Sequence, residues 1–301
     1  MKPHIPNYRI LAPGKVMLMG EYGVLEQGAG LVAAVDRYAS GCLAETARSV
    51  SSFIPVIKQH TKGDFPIDNL QLDVADFFDK AGAKLGIGSS AASIVCAVGL
   101  FMEWNHQPIE YFQTELYSQA FNIHKAWQHG LGSGADIKAA VYGGIIRINS
   151  IGEPLRSIPL AMRWISHRSS VQTRQLLQQY HQHRADGKKI AYQMSELAEK
   201  FILSSEKQNT KDMIACVEQA SNLYDELALL IRAPLVSVEQ KKIIALAQQH
   251  GGQAKPSGAG GGDLTWAVFP TETQAEEFSK RLDADYQLLS LDFSTVGAHK
   301  V

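Results

Sequence analysis

The sequence predicts an α+β protein of two domains, and three observations carry that prediction. The chain has 301 residues, beyond the size at which a single hydrophobic core usually stops growing. Strand-like and helix-like stretches alternate without the regular register of a βαβ array. Between Ser150 and Pro159 the apolar periodicity lapses into a Gly-, Pro- and Ser-containing segment, which places a boundary between residues 1–159 and 160–301.

In chain order, Arg9 to Glu21 alternates apolar and polar residues about a Pro-Gly break, and Gly30 to Cys42 is rich in Val, Ala and Leu. Both read as strands of a hairpin-type sheet. Lys58 to Asp68 is polar and irregular. Gly86 to Ser90 then forms a loop that feeds an apolar run, Ala91 to Trp104, read as a buried helix. A second helix is expected over Ile109 to His129; it ends at Gly130, Gly132 and Gly134. Gly143 and Gly144 divide the following apolar stretch, Ala139 to Ile148, into helix and strand. The second half reads as a strand (Met162 to Ser166), helices (about Thr173 to Ile231) and another helix (Glu239 to His250). A glycine loop, a strand (Leu264 to Phe269), a helix (Thr273 to Leu282) and a strand (Tyr286 to Phe293) follow. Ser237 with Gln240, and Thr271 with Gln274, fit the capping-box spacing at two helix starts.

Composition narrows the function classes. Hydrophobic residues form 45% of the chain and charged ones 20%, as in a globular protein with a substantial core. Lys and Arg total 29 against 30 Asp and Glu, so no basic excess draws the chain onto nucleic acid or an anionic membrane. An anion must therefore be held by local geometry. Ala91 to Met102, the most apolar stretch, falls short of the roughly 20 residues that span a bilayer. The start, MKPHIPNYRIL, lacks a charged segment followed by an apolar core, so no signal peptide is expected and a cytoplasmic location is. Cys42, Cys96 and Cys216 form no metal or redox spacing and read as structural thiols. The sequence carries no signal for an oligomeric state.

Three glycine loops carry the chemistry. Gly86, Ile87, Gly88, Ser89, Ser90, Ala91 and Ala92 precede a helix, where free backbone N–H groups and the helix dipole favour a phosphate. A tight turn before a core helix would also explain these glycines. The P-loop pattern is absent, and no buried strand precedes Gly86 as a dinucleotide fingerprint requires. In the second loop, HGLGSGAD, Asp136 is either a helix cap or a reactive carboxylate. In the third, KPSGAGGGD (255–263), four glycines within five residues suit either a backbone that closes on a ligand or a flexible linker.

Taken together, APGKVMLMGEYGVLEQG (12–28), KLGIGSSAAS (84–93) and KPSGAGGGD resemble, in order, the three motifs of the GHMP kinases. The resemblance spans nearly the whole chain. It implies a ribosomal-protein-S5-like ATP-binding domain over 1–159 and a ferredoxin-like domain over 160–301, with the active site between them. Within the family the motifs are most similar to the phosphomevalonate kinases, with mevalonate kinases second. A decarboxylase of diphosphorylated mevalonate shares the fold but lacks this form of the first motif, and a non-catalytic ligand binder is the remaining alternative.

The resemblance further implies ATP and Mg²⁺, with Ser90 as a magnesium ligand, and a small anionic acceptor. Asp136 would be the base for the acceptor hydroxyl and Lys15 its partner; otherwise Lys15 is a surface lysine after a turn. Lys15, Glu21, Tyr22, Ser133, Gly134, Ser257, Gly258, Ala259, Gly260 and Gly261 would contact the acceptor, as would Ser170 and Thr173 from the faintly similar SHRSSVQTRQ. Lys125, His124, Arg147 or Arg168 would supply positive charge. Lys125 stands where mevalonate kinases carry a metal-binding glutamate, and the chain departs from the phosphomevalonate kinases twice: the segment between the first and second motifs is short, and Lys138 stands where alanine is commoner.

Overall fold

The computed structural model describes residues 7–45, 51–61, 63–167, 173–262 and 264–301. Strand β1 (Ile10–Met19) pairs antiparallel with β2 (Gly30–Leu43), Lys15 facing Ala34 across the ladder. Irregularities at Pro13/Gly14 and Met17/Met19 break the pairing on either side of Lys15, as bulges do where a strand must re-aim a side chain. A short helix α1 (Ile54–His60) and strand β3 (Leu70–Asp73) follow, then α2 (Ser89–Trp104), α3 (Gln113–Trp127), α4 (Ala135–Tyr142) and β4 (Ile145–Ile148). Both β3 and β4 pair with β2. Helix α2 is buried almost all round from Ala91 to Met102, and its alanines and Gly99 let it lie close against the β1–β2 ladder.

The remaining chain forms β5 (Ala161–Ser166), α5 (Thr173–Gln182), α6 (Arg184–Glu206), α7 (Thr210–Leu230), α8 (Val238–Gln249), β6 (Gln253–Pro256), β7 (Leu264–Phe269), α9 (Glu272–Lys280), β8 (Gln287–Leu289) and β9 (His299–Lys300). A four-stranded sheet in the order β6-β7-β5-β8 carries stacked Trp164 and Trp266, centroids 5.8 Å apart, on neighbouring strands. Strand β9 does not join it; it pairs with β1, so the five-stranded sheet is completed by the last residues. Helix α6 seats the turn after β1: Ser195 Oγ accepts from the Ala29 N–H at 2.6 Å.

Several expectations change. Strand β1 ends at Met19 because Tyr22 and Gly23–Glu26 turn away in a short 3-10 helix. Helix α2 starts at Ser89, since Gly88 at φ 88° closes the loop and both serines suit a first helical turn. Helix α3 begins at Gln113, after the segment in which Glu103 Oε1 accepts from the Ile109 N–H. Lys58–His60 are helical, and β3, β6 and β9 are too short to leave an alternation in the sequence. Of Tyr286–Phe293, only Gln287–Leu289 forms a strand. Ser237 and Gln240 make the reciprocal capping box. At Thr271, only the Gln274 N–H to Thr271 Oγ1 half forms. Among the described residues no helix is long and apolar enough to cross a membrane.

Candidate active site

The three glycine loops meet in one cleft. Gly86 to Ala91, Ser133 to Asp136 and Ser257 to Gly260 all line it, with Lys15, Glu21 and Tyr22 from the first motif and Thr173 from the start of α5. Its walls are held together by direct bonds. The Lys15 N–H donates to the Ile87 carbonyl at 2.8 Å, joining the first motif to the second. Gly88 packs against the Lys15 stem; a Cβ there would lie 2.9 Å from Lys15 Cγ, so the approach needs glycine as well as its positive φ. Ser257 Oγ donates to the Met17 carbonyl at 2.9 Å and accepts from the Met17 N–H at 3.1 Å. Tyr22 and Tyr224 hydroxyls donate to the Ala259 and Gly258 carbonyls at 2.8 and 2.5 Å. With both flanks bonded, the third loop is not a free linker.

At the start of α2 the N–H groups of Ser89, Ser90 and Ala91 precede any residue able to accept them within the helix. They open onto the cleft, at the positive end of a 16-residue dipole. That cradle fits a polyphosphate. Among the described residues no three His, Cys, Asp or Glu side chains converge as a metal site. A magnesium ion here would take most of its ligands from phosphate oxygens and water, with the Ser90 hydroxyl within the same helical turn.

Opposite this cradle, Lys15 Nζ lies 3.6 Å from Asp136 Oδ2. Neither open alternative for these residues holds. Gly134 occupies the N-cap of α4 with no side-chain cap bond, and Asp136 is the second helical residue, its carboxylate turned to Lys15. Lys15 is a strand residue with its side chain only 12% exposed.

Glu21 is placed differently from an open ligand. It lines the cleft but is paired with Lys255, which is wholly enclosed, also donates to the Pro256 carbonyl at 2.9 Å, and lies over the Tyr224 and Trp266 rings. Burial pushes the Lys255 ammonium below its ordinary pKa, against the pull of the Glu21 carboxylate. Of the basic candidates, His124 alone among the described residues lines the cleft. Lys125 lies over the Phe121 ring instead, and Arg147 is held by Glu206 and the Ile151 and Glu153 carbonyls. Lys138 also lies off the cleft, its Nζ 3.5 Å from the Arg147 carbonyl. Gly261 donates its N–H to the Leu235 carbonyl, behind the loop. Ser170 and Arg168, like Asp263, lie outside the described residues.

Sequence reasoning missed Lys84, Gln128 and Lys255. Lys84 lines the cleft from within the second motif and Gln128 from the position just before the HGLGSGAD loop, where the glycines drew the attention. Lys255 could have been suspected from a lysine directly preceding a dense glycine cluster.

Sequence models of the GHMP kinases N terminal domain and the GHMP kinases C terminal match residues 38–144 and 204–288. The chain belongs to the GHMP kinases. A phosphomevalonate kinase of Saccharolobus solfataricus is 29% identical over 159 residues, 46% of this chain. That match spans about half, 48%, of the relative's length. A Listeria innocua protein superposes with TM-score 0.82 at 18% identity, over 98% of this chain and 99% of its own. Streptococcus pneumoniae phosphomevalonate kinase, solved with phosphomevalonate and AMPPNP, superposes with TM-score 0.76 at 17% identity, over 95% and 99%. These structural likenesses establish the two-domain GHMP kinase fold.

Proposed function

We propose that this GHMP kinase transfers the γ-phosphoryl group of ATP to a small anionic acceptor, first among the candidates phosphomevalonate, whose phosphate oxygen receives it. The observation that carries this reading is the meeting, in one cleft, of the α2 phosphate cradle and the Lys15–Asp136 contact. Phosphoryl transfer asks a protein mainly to place donor and acceptor in line and to stabilise charge. N–H groups from Ser89 to Ala91 hold the triphosphate. Asp136 takes the proton carried by the acceptor's attacking group, in phosphomevalonate its phosphate, as that group's oxygen bonds to the γ-phosphorus and the bond from the γ-phosphorus to the ADP oxygen breaks. The Lys15 ammonium, 3.6 Å from Asp136, steadies the negative charge on the attacking oxygen. Ser257 to Gly260 cover the acceptor from the other side.

The choice of phosphomevalonate is supported by the Gly-Ser-Gly-Ala-Asp loop, by Lys125 in place of a metal-binding glutamate, and by the similarity to the Saccharolobus enzyme. An ADP-release assay with ATP, Mg²⁺ and a panel of mevalonate, phosphomevalonate, homoserine and galactose tests it. Phosphomevalonate is expected to turn over fastest. Faster turnover of mevalonate or homoserine replaces the acceptor, CO₂ release from a diphosphorylated acceptor replaces the reaction, and ATP binding without turnover on any acceptor removes the enzyme reading.

A further inference from the structure

Helix α3 turns one polar edge into the cleft. His124 and Gln128, one helical turn apart, both line it, while Lys125 between them faces away over Phe121. His124 is only 4% exposed, and its ring lines the cleft. Beside it, Gln128 Oε1 is buried and without a donor among the described residues. That oxygen rests over Gly132, where a Cβ would come within 2.3 Å of it. Buried polar groups are normally satisfied, and an unpartnered carboxamide oxygen beside a cleft-lining imidazole points to a ligand that engages both residues.

Burial lowers the His124 pKa, with Asp136 raising it and Lys15 lowering it, so the ring is neutral at physiological pH. It then offers one N–H donor and one lone pair, and not the positive charge expected from the sequence. Gln128 adds a carboxamide whose half-turn exchanges donor for acceptor. The edge is held firmly from outside. Arg174 lies over the Trp127 ring at 5.4 Å and donates to the Trp127 carbonyl at 3.2 Å, fixing the last turn of α3.

We propose that His124 and Gln128 are acceptor-binding residues, which together grip the carboxylate and hydroxyl oxygens of a small hydroxy acid beside Lys15 and Asp136. This rests on the phosphotransferase reading above. It assigns specificity to uncharged hydrogen bonds on the α3 edge, leaving anion charge to be met elsewhere in the cleft.

Steady-state kinetics with phosphomevalonate and ATP test it. His124→Ala and Gln128→Ala are each expected to raise KM for phosphomevalonate about tenfold, with KM for ATP at the parent's value. His124→Asn, which keeps a donor and an acceptor, recovers part of the loss. Gln128→Glu has the same shape and is expected to raise the acceptor KM further than Gln128→Ala, because it sets a negative charge against an anion. That result also separates ligand contact from loss of packing, should an alanine variant melt early. Folded variants with an unchanged acceptor KM, or with the change in the ATP KM instead, overturn the inference alone. A parent that forms no ADP with any acceptor of the panel overturns the phosphotransferase reading and this inference together.

Discussion

Two lysine–carboxylate pairs stand within the same cleft wall, and they differ in almost everything but chemistry. Lys15 and Asp136 lie 3.6 Å apart with side chains 12% and 36% exposed, open to whatever enters. Lys255 and Glu21 are sealed, at 0% and 3%, beneath two aromatic rings. The open pair lines the cleft, within reach of a ligand. The sealed pair cannot reach an acceptor without tearing apart the joint between the first motif and the third loop. The same pairing of lysine with a carboxylate thus separates into an open pair, the one proposed to react, and a sealed pair that fastens, according to what surrounds them.

The largest expected effect breaks the open pair. Asp136→Asn and Lys15→Met should each lower kcat by about 10² to 10⁴, with ATP affinity and melting temperature little changed. The double variant should lose little more than either single one, because the two groups act as a unit. Near-parent kcat in Asp136→Asn would demote the carboxylate to a positioning group.

The sealed pair should show the converse. Lys255→Met leaves Glu21 buried and unpaired, a loss of about 3–5 kcal/mol of stability measured by urea unfolding. Adding Glu21→Leu should return much of it, since removing both charges also removes the cost of burying them. If Lys255→Met matches the parent's stability but loses turnover, the pair belongs to the chemistry and the contrast fails.

The smallest effect concerns protonation beside the open pair. Burial lowers the pKa of His124, and of His167 in the second half, below the unfolded value of about 6.5. Between the folded and unfolded values the unfolded chain binds more protons, so stability is lost as pH falls below about 6.5. His124→Gln should flatten that acid slope in urea midpoints taken from neutral to mildly acid pH, while leaving the share due to His167. An unchanged slope would mean that His124 is charged in the fold.

The long apolar elements were legible in the sequence because they repeat their signal: α2 over sixteen residues, β2 over fourteen. Strands of two to four residues, such as β3, β6 and β9, hold too few alternations to be seen, and only their neighbours make them strands. The glycine loops were legible as backbone under close approach, and they line one cleft. What each polar side chain does within them was less so. Glu21 reads as a ligand from its motif, and only the fold brings Lys255, 234 positions away, against it. His124 and Lys125 are neighbours of the same basic type, and a helix register alone decides which of them enters the cleft.

The pairing of β9 with β1 bears on how the protein comes to exist. Arg9 and Val301 exchange backbone hydrogen bonds in both directions at 2.9 Å, so the sheet that carries Lys15 lacks one flank until the ribosome has passed residue 301. A nascent chain that has already made all three glycine motifs therefore still exposes an open edge at Arg9–Leu11 of the strand that carries Lys15. Such an edge invites pairing with other chains. Extensions or cuts near Lys300 are expected to act first on yield and aggregation during synthesis, before they touch the rate of any purified enzyme.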